Sequence, residues 1–294
     1  MAENKVEKKS SRSFGSGVKS FLKFCKKNPS FTIGFIIMLI IAFVAIFAES
    51  LAPNDPYLQN PKISLMAPFV DAQYPLGTDN LGRCMLSRMM YGLRISFEIC
   101  ISAVALAVLF GICVGIISGM GYPGPVDSVL MRLVDMQMGF PFIVLVIILI
   151  SLLGCTVPSI ICVLALSYWA PYARNIRGST MIEKNMDYIS AARLMGAGNG
   201  RIALRYLGRN VFPSILPMVP MDLSAAIVTE SLLSYMGLGV QPPQISLGTI
   251  MGDGKNYIAT HWWITAMSGF LIVIMAVALT LIGDALHKHF SKLD

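Results

Sequence analysis

Six apolar runs divide the chain: Phe31 to Ala48, Phe97 to Met120, Phe140 to Leu153, Val157 to Ala170, Ile215 to Met236 and Trp262 to Leu286. A hydrocarbon core of about 30 Å takes about 20 helical residues to cross, and only helices or closed barrels satisfy their backbone there. The runs therefore predict an all-α polytopic membrane protein. Hydrophobic residues make up 55% of the 294 and charged residues 13%, about half the roughly 25% charge of a soluble domain. That leaves too little polar surface to clothe a water-facing protein, and it excludes disordered, collagen-like and secreted disulfide-rich classes. The third and fourth runs are short and flank Gly154-Cys155-Thr156-Val157-Pro158. They predict a helical hairpin, because one continuous helix would hold Pro158 in its interior. The first run lies behind a long basic segment and lacks a small-x-small cleavage site, so it reads as a retained span and not a signal peptide.

The net charge of +7 would suggest nucleic acid in a soluble protein. Its distribution points elsewhere. With both termini cytoplasmic, 18 Lys and Arg fall inside and 5 outside, so the asymmetry predicts six spans with an N-in, C-in orientation and no nucleic-acid partner. The resulting partition is a basic cytoplasmic tail (1–30), a first span (31–48), an external loop (49–96), a five-helix core (97–286) with a cytoplasmic segment at 174–210, and a cytoplasmic tail (287–294).

Local chemistry of the usual catalytic kinds is not expected. The six cysteines show no CxxC spacing, and His261, His287 and His289 have no zinc-ligand spacing. Gly252-Asp253-Gly254-Lys255-Asn256 imitates the end of a phosphate-binding loop, but Thr249 stands where Gly is required and Asn256 where Ser or Thr is required. No catalytic, cofactor or metal residue is assigned, so any energy source must sit on another chain.

The segment 174–210 is too long for a tight turn. Within it Ile189, Ala192 and Gly196 fall at i, i+3 and i+7 while Arg193 faces elsewhere, predicting a short amphipathic helix ended by Gly196 and a second helix from Asn199 or Gly200 to about Leu207. Such a helix either lies on lipid or docks a soluble partner. Tyr188-Ile189-Ser190-Ala191-Ala192-Arg193-Leu194-Met195-Gly196-Ala197-Gly198 resembles the coupling loop of ABC importer permeases. Two further stretches, Pro75 to Arg88 (with Gly77, Thr78, Asp79, Gly82 and Arg83) and Glu230 to Pro243, together with Gly283-Asp284-Ala285-Leu286, are similar to the second permease subunit of the dipeptide, oligopeptide and nickel importers. Tyr74, Cys84 and Ser190 depart from that pattern, which has His, Asp and Glu there.

The resemblance implies the type I importer permease fold in a bacterial inner membrane. It implies a heterodimer with a second related permease, two cytoplasmic ATPases that carry ATP and Mg, and an external solute-binding protein. Ser190, Ala191, Ala192, Arg193, Gly196, Ala197 and Gly198 would couple to the ATPases. The substrate would be a di- or oligopeptide, with nickel or a metal chelate as the alternative; an ATP-independent secondary transporter is more distant, since no internal inverted repeat is visible. From the residues alone, Asp222 and Glu230 stand eight apart in the fifth run, where an unpaired charge is expensive. Each either lines a polar path or pairs with a neighbour, with packing or gating near the outer end favoured for Glu230. Gly111, Gly115 and Gly119 form a small-xxx-small face for close helix approach.

Overall fold

The computed structural model describes residues 23–290, and among these the regular elements are helical, with one isolated bridge between Thr78 and Cys84. The basic-tail residues Lys5, Lys8, Lys9, Arg12 and Lys19, and Lys292 of the C-terminal tail, lie outside the described residues. Helix α1 (Pro29–Ile46) opens on a proline, whose missing N–H would have lacked an intrahelical acceptor in any case. A short α2 (Ala48–Leu51) leads into the long loop before the next helix.

Helix α3 (Met85–Gly121) starts twelve residues before the expected Phe97. Ser87, Arg88, Gly92 and Ser96 interrupt the apolar run but are buried against other segments, so tertiary partners and not hydropathy set this end. Helix α4 (Pro125–Met138) matches none of the six runs, because Asp127, Arg132, Asp135 and Gln137 dilute its apolar face. It turns through 96° into α5 (Phe142–Leu153).

The hairpin forms as expected. Gly154 takes a φ of +84° after α5, and the Thr156 hydroxyl accepts the Ser159 N–H at 3.3 Å to cap α6 (Val157–Glu183), with Pro158 in its first turn. That helix corrects the expected end at Ala170. It continues through Pro171, whose ring removes the hydrogen bond to the carbonyl of Ser167. Gln137 of α4 replaces it, its Nε2 donating to the Ser167 oxygen at 3.2 Å and to Leu166 at 2.7 Å. The helix thus ends at Glu183, beyond Arg174.

Next come α7 (Asp187–Leu194), α8 (Asn199–Arg201), a π-helical run (Ile202–Leu207) and α9 (Gly208–Val211). The chain then enters α10 (Met218–Tyr235), α11 (Leu247–Gly254) and α12 (Trp263–Phe290).

The α3–α6 contact is the most extensive between any two helices. A Cβ on Gly111 would sit 2.5 Å from the Tyr172 Cβ, one on Gly115 2.7 Å from Ile176, and one on Gly119 2.6 Å from Thr180. Steps of four on both helices therefore mesh, and the glycines let the backbones close where lipid supplies no hydrophobic drive. Three helices, α1, α3 and α12, are long and apolar enough to cross a membrane alone; α4 with α5, and 199–215 with α10, qualify as bent pairs, giving up to five. Helix α6 is not among them, since Arg174, Arg177 and Glu183 occupy its second half.

Candidate functional site

Three groups of residues concentrate polar chemistry in a chain otherwise built of apolar helices. The first is at α7. Ile189 packs against Ile202 and Leu207, and Ala192 on the same face is also buried, so the predicted amphipathic face rests on the π-helical run. The end of the helix is a complete Schellman motif: the Ala197 N–H donates to the Ala192 carbonyl at 3.0 Å, the Gly196 N–H to Arg193 at 2.9 Å, and Gly196 adopts a φ of +83°. Ala197 then packs beside Ile189, while Gly198 opens the next helical turn. The opposite face carries Ser190, Ala191 and Arg193, all exposed. Beside them Leu194 and Met195 are 90% and 78% exposed, an apolar pair with no cover among the described residues. Tyr188 anchors the start of the helix: its hydroxyl bonds Glu183 and accepts from Asn210 at 2.8 Å. Burial, and then the Glu183 carboxylate, raise its hydroxyl above the ordinary phenol value.

The membrane end of this platform is held by charge. Asp127 of α4, itself buried, accepts from Ser118 of α3 and takes a forked pair from Arg177 of α6 at 2.6 and 2.8 Å. Lys184 donates to the carbonyls of Gly119 and Tyr122 at 3.0 and 2.6 Å, closing the end of α3. Sequence spacing gives no sign of these pairs, since 50 residues separate Asp127 from Arg177.

The second group is the motif from Gly77 to Arg88. Asp79 is 0% exposed and accepts the backbone N–H groups of Leu81 and Arg83, each at 2.9 Å, plus Arg83 Nε at 2.6 Å and Arg88. Asp253 of α11 receives the other ends of both guanidiniums, 3.1 Å from Arg83 and 2.9 Å from Arg88. Thr78 bonds the Ile63 carbonyl and accepts the Met66 N–H at 2.9 Å. Gly77 and Gly82 both sit at φ +73°, and a Cβ on Gly82 would fall 2.6 Å from the Asn60 carbonyl carbon. The motif therefore knots the loop before α3 onto α3 and α11. The knot borders a cavity of about 650 Å³ that reaches Gln241 and Pro242. Arg88 and Asp253 complete it; the stretch that imitated a phosphate loop is helix α11 and its end. Cys84, buried, precedes α3 without a side-chain cap.

The third group is the pair of acids on α10, Asp222 and Glu230, which the structure separates. Glu230 is fully buried, accepting from Ser96 at 3.1 Å and Ser234 at 2.8 Å, and Ser234 in turn accepts from Ser246 at 3.1 Å. It joins α10 to α3 and to the cap of α11. Asp222 is only half-buried and forms no ion pair among the described residues.

Comparison with known proteins places this arrangement. Residues 111–293 match the family described as binding-protein-dependent transport system inner membrane component, and 19–68 match the N-terminal transmembrane domain of oligopeptide transport permease C. The di/tripeptide transport permease DppC of Pseudomonas aeruginosa is 32% identical over 93% of this chain and 91% of its own. The nickel transport permease NikC of Escherichia coli K12 is 32% identical over 90% and 95%. A solved inward-facing structure of the MetNI methionine ABC transporter shares the fold, with a TM-score of 0.56 and 19% identity over 68% of this chain and 94% of that one. The chain belongs to the binding-protein-dependent transport system inner membrane component family. It is a permease subunit of an ABC importer, a multi-pass inner-membrane protein and not itself an enzyme.

Proposed function

We propose that this permease forms half of the translocation pathway of a peptide importer, paired with a second related permease, two cytoplasmic ATPases and an external binding protein. The observation that carries the coupling is α7, whose Leu194 and Met195 stand uncovered beside a rigidly terminated helix. ATP and Mg would stay on the ATPases, and closure of those subunits would tilt the spans through α7. Peptide is favoured by the relatives named for di- and tripeptide transport; nickel remains the second reading because an equally similar relative is named for it. Uptake of a labelled dipeptide and of nickel by cells carrying the complete importer decides between them. Dipeptide uptake abolished by loss of this chain is the expected result, and nickel uptake alone would sink the peptide reading.

Six crossings follow if α6 counts as a span beside α1, α3, the α4–α5 pair, α10 and α12, with both ends cytoplasmic, as the 18 to 5 split of basic residues supports. An impermeant thiol reagent added outside should label cysteines introduced near Asn60 and Asn256 and spare one near Lys184. Labelling near Lys184 would reverse the orientation.

A further inference from the structure

Helix α1 is seated on α12, where a Cβ on Gly34 would fall 2.5 Å from the Ala278 carbonyl oxygen. Its neighbouring flank, with Phe35, Met38, Ala42 and Ile46 in steps of three and four, leaves a groove against α3. Two cavities make up this groove. One, of about 380 Å³, lies between Phe35, Met38 and Ala42 of α1, Phe97 and Ile101 of α3, and Leu279 of α12, and no charged side chain lines it. The other, of about 400 Å³, adjoins it across Ala42, Phe97 and Ile101, which line both, and extends to Ile46, Arg94 and Glu98. From Phe35 to Ile46 the groove runs about 16 Å at about 1.5 Å per residue, close to the half of a roughly 30 Å hydrocarbon core that one leaflet supplies. Charge enters only at the Ile46 end. There Arg94 binds Glu49 of α2 at 2.6 Å with both side chains exposed. Glu98, one turn further along α3, is exposed and has no ion pair among the described residues.

We propose that this groove binds a phospholipid whose headgroup carries a phosphate and a primary ammonium, of the phosphatidylethanolamine kind, with one acyl chain lying between α1 and α3. The site does not depend on which solute the importer carries. Length and polarity select a lipid, since an apolar lane one leaflet deep that ends in charge matches an acyl chain below its headgroup. Charge selects the headgroup. Arg94 has guanidinium N–H groups beyond the one donated to Glu49, and these can take a phosphate. Glu98 is left to accept from an ammonium. One arginine and two glutamates give this end a net charge of −1, so an anionic headgroup is disfavoured against a zwitterionic one. A choline headgroup has no N–H to donate to Glu98.

The test uses the complete importer in phosphatidylcholine nanodiscs holding a trace of phospholipid with a diazirine midway along one acyl chain and ethanolamine, glycerol or choline as its headgroup. After irradiation, adducts on peptides covering 35–46 and 97–101 are measured relative to those on the whole importer. The ethanolamine probe should label these peptides about threefold more than the other two, the size of one exposed ion pair. Glu98→Gln should bring it down to the choline level, and Glu98→Lys should put the anionic glycerol probe first. Ala42→Trp, which fills the junction of the two cavities, should lower labelling by all three probes. Equal labelling by the three headgroups, or an order unchanged by Glu98→Gln, would overturn the headgroup assignment. Adducts unaffected by Ala42→Trp would place the lipid outside the groove. Absence of adducts on both peptides would mean that a helix of the second permease covers the groove, and would overturn the lipid site. If Ala42→Trp fails to assemble with its partners, the headgroup order in the native groove decides.

Discussion

Gly196→Glu is expected to abolish uptake and to weaken co-purification of the ATPases while leaving the helices inserted. Two costs combine. The backbone at Gly196 has a φ of +83°, where a side chain costs roughly 1–2 kcal/mol, and the Schellman bonds that stop α7 depend on that conformation. Among the described residues no atom beyond Gly196 and its two chain neighbours lies within 4 Å of the position a Cβ would take, so the glutamate projects outward beside Leu194 and Met195, into the surface a partner must cover. Gly196→Ala separates the two effects: it bears the backbone cost alone and should retain part of the uptake. Arg193→Glu should act more mildly, through charge complementarity. Normal uptake by Gly196→Glu with the ATPases bound would remove the docking role from α7.

Asp79→Ala should lower stability by about 3–5 kcal/mol, the range for removing one member of a buried ion pair. The carboxylate is the buried centre of the knot, and its loss leaves Arg88, 3% exposed, with only Asp253. Thermal unfolding of the detergent-solubilised complex, and protease cleavage between Asn60 and Arg83, measure it. Glu49→Gln provides the contrast. Its bond to Arg94 at 2.6 Å lies at the surface with both side chains about half exposed or more, so its loss should cost about 0–1 kcal/mol. Equal effects of the two substitutions would show that the knot is not a structural centre.

Much of the fold could be read from the sequence because lipid imposes one-dimensional rules. Long apolar runs had to become helices, Gly154 and Pro158 had to break the hairpin, and the Gly111, Gly115 and Gly119 stripe had to meet a neighbour. The Ala192 to Gly196 spacing likewise announced the end of α7, since positive φ is a local requirement and glycine meets it locally.

What the tertiary structure decided is where polar residues find partners across long separations. Hydropathy ended α6 at Ala170, but Gln137 of α4 reaches the Ser167 carbonyl that Pro171 leaves unpaired, and the helix runs on to Glu183. The same charges that hid α4 as a span, Asp127 and Asp135, bind Arg177 and Arg174 of α6. Asp222 and Glu230 looked alike in sequence, two acids in one apolar run. The serines of α3, α10 and α11 enclose Glu230, while Asp222 is left half-buried and outside every ion pair among the described residues. A sequence fixes which groups must be satisfied; only the packing of distant helices determines by whom, because the energy of a buried polar group depends on neighbours that chain order does not specify.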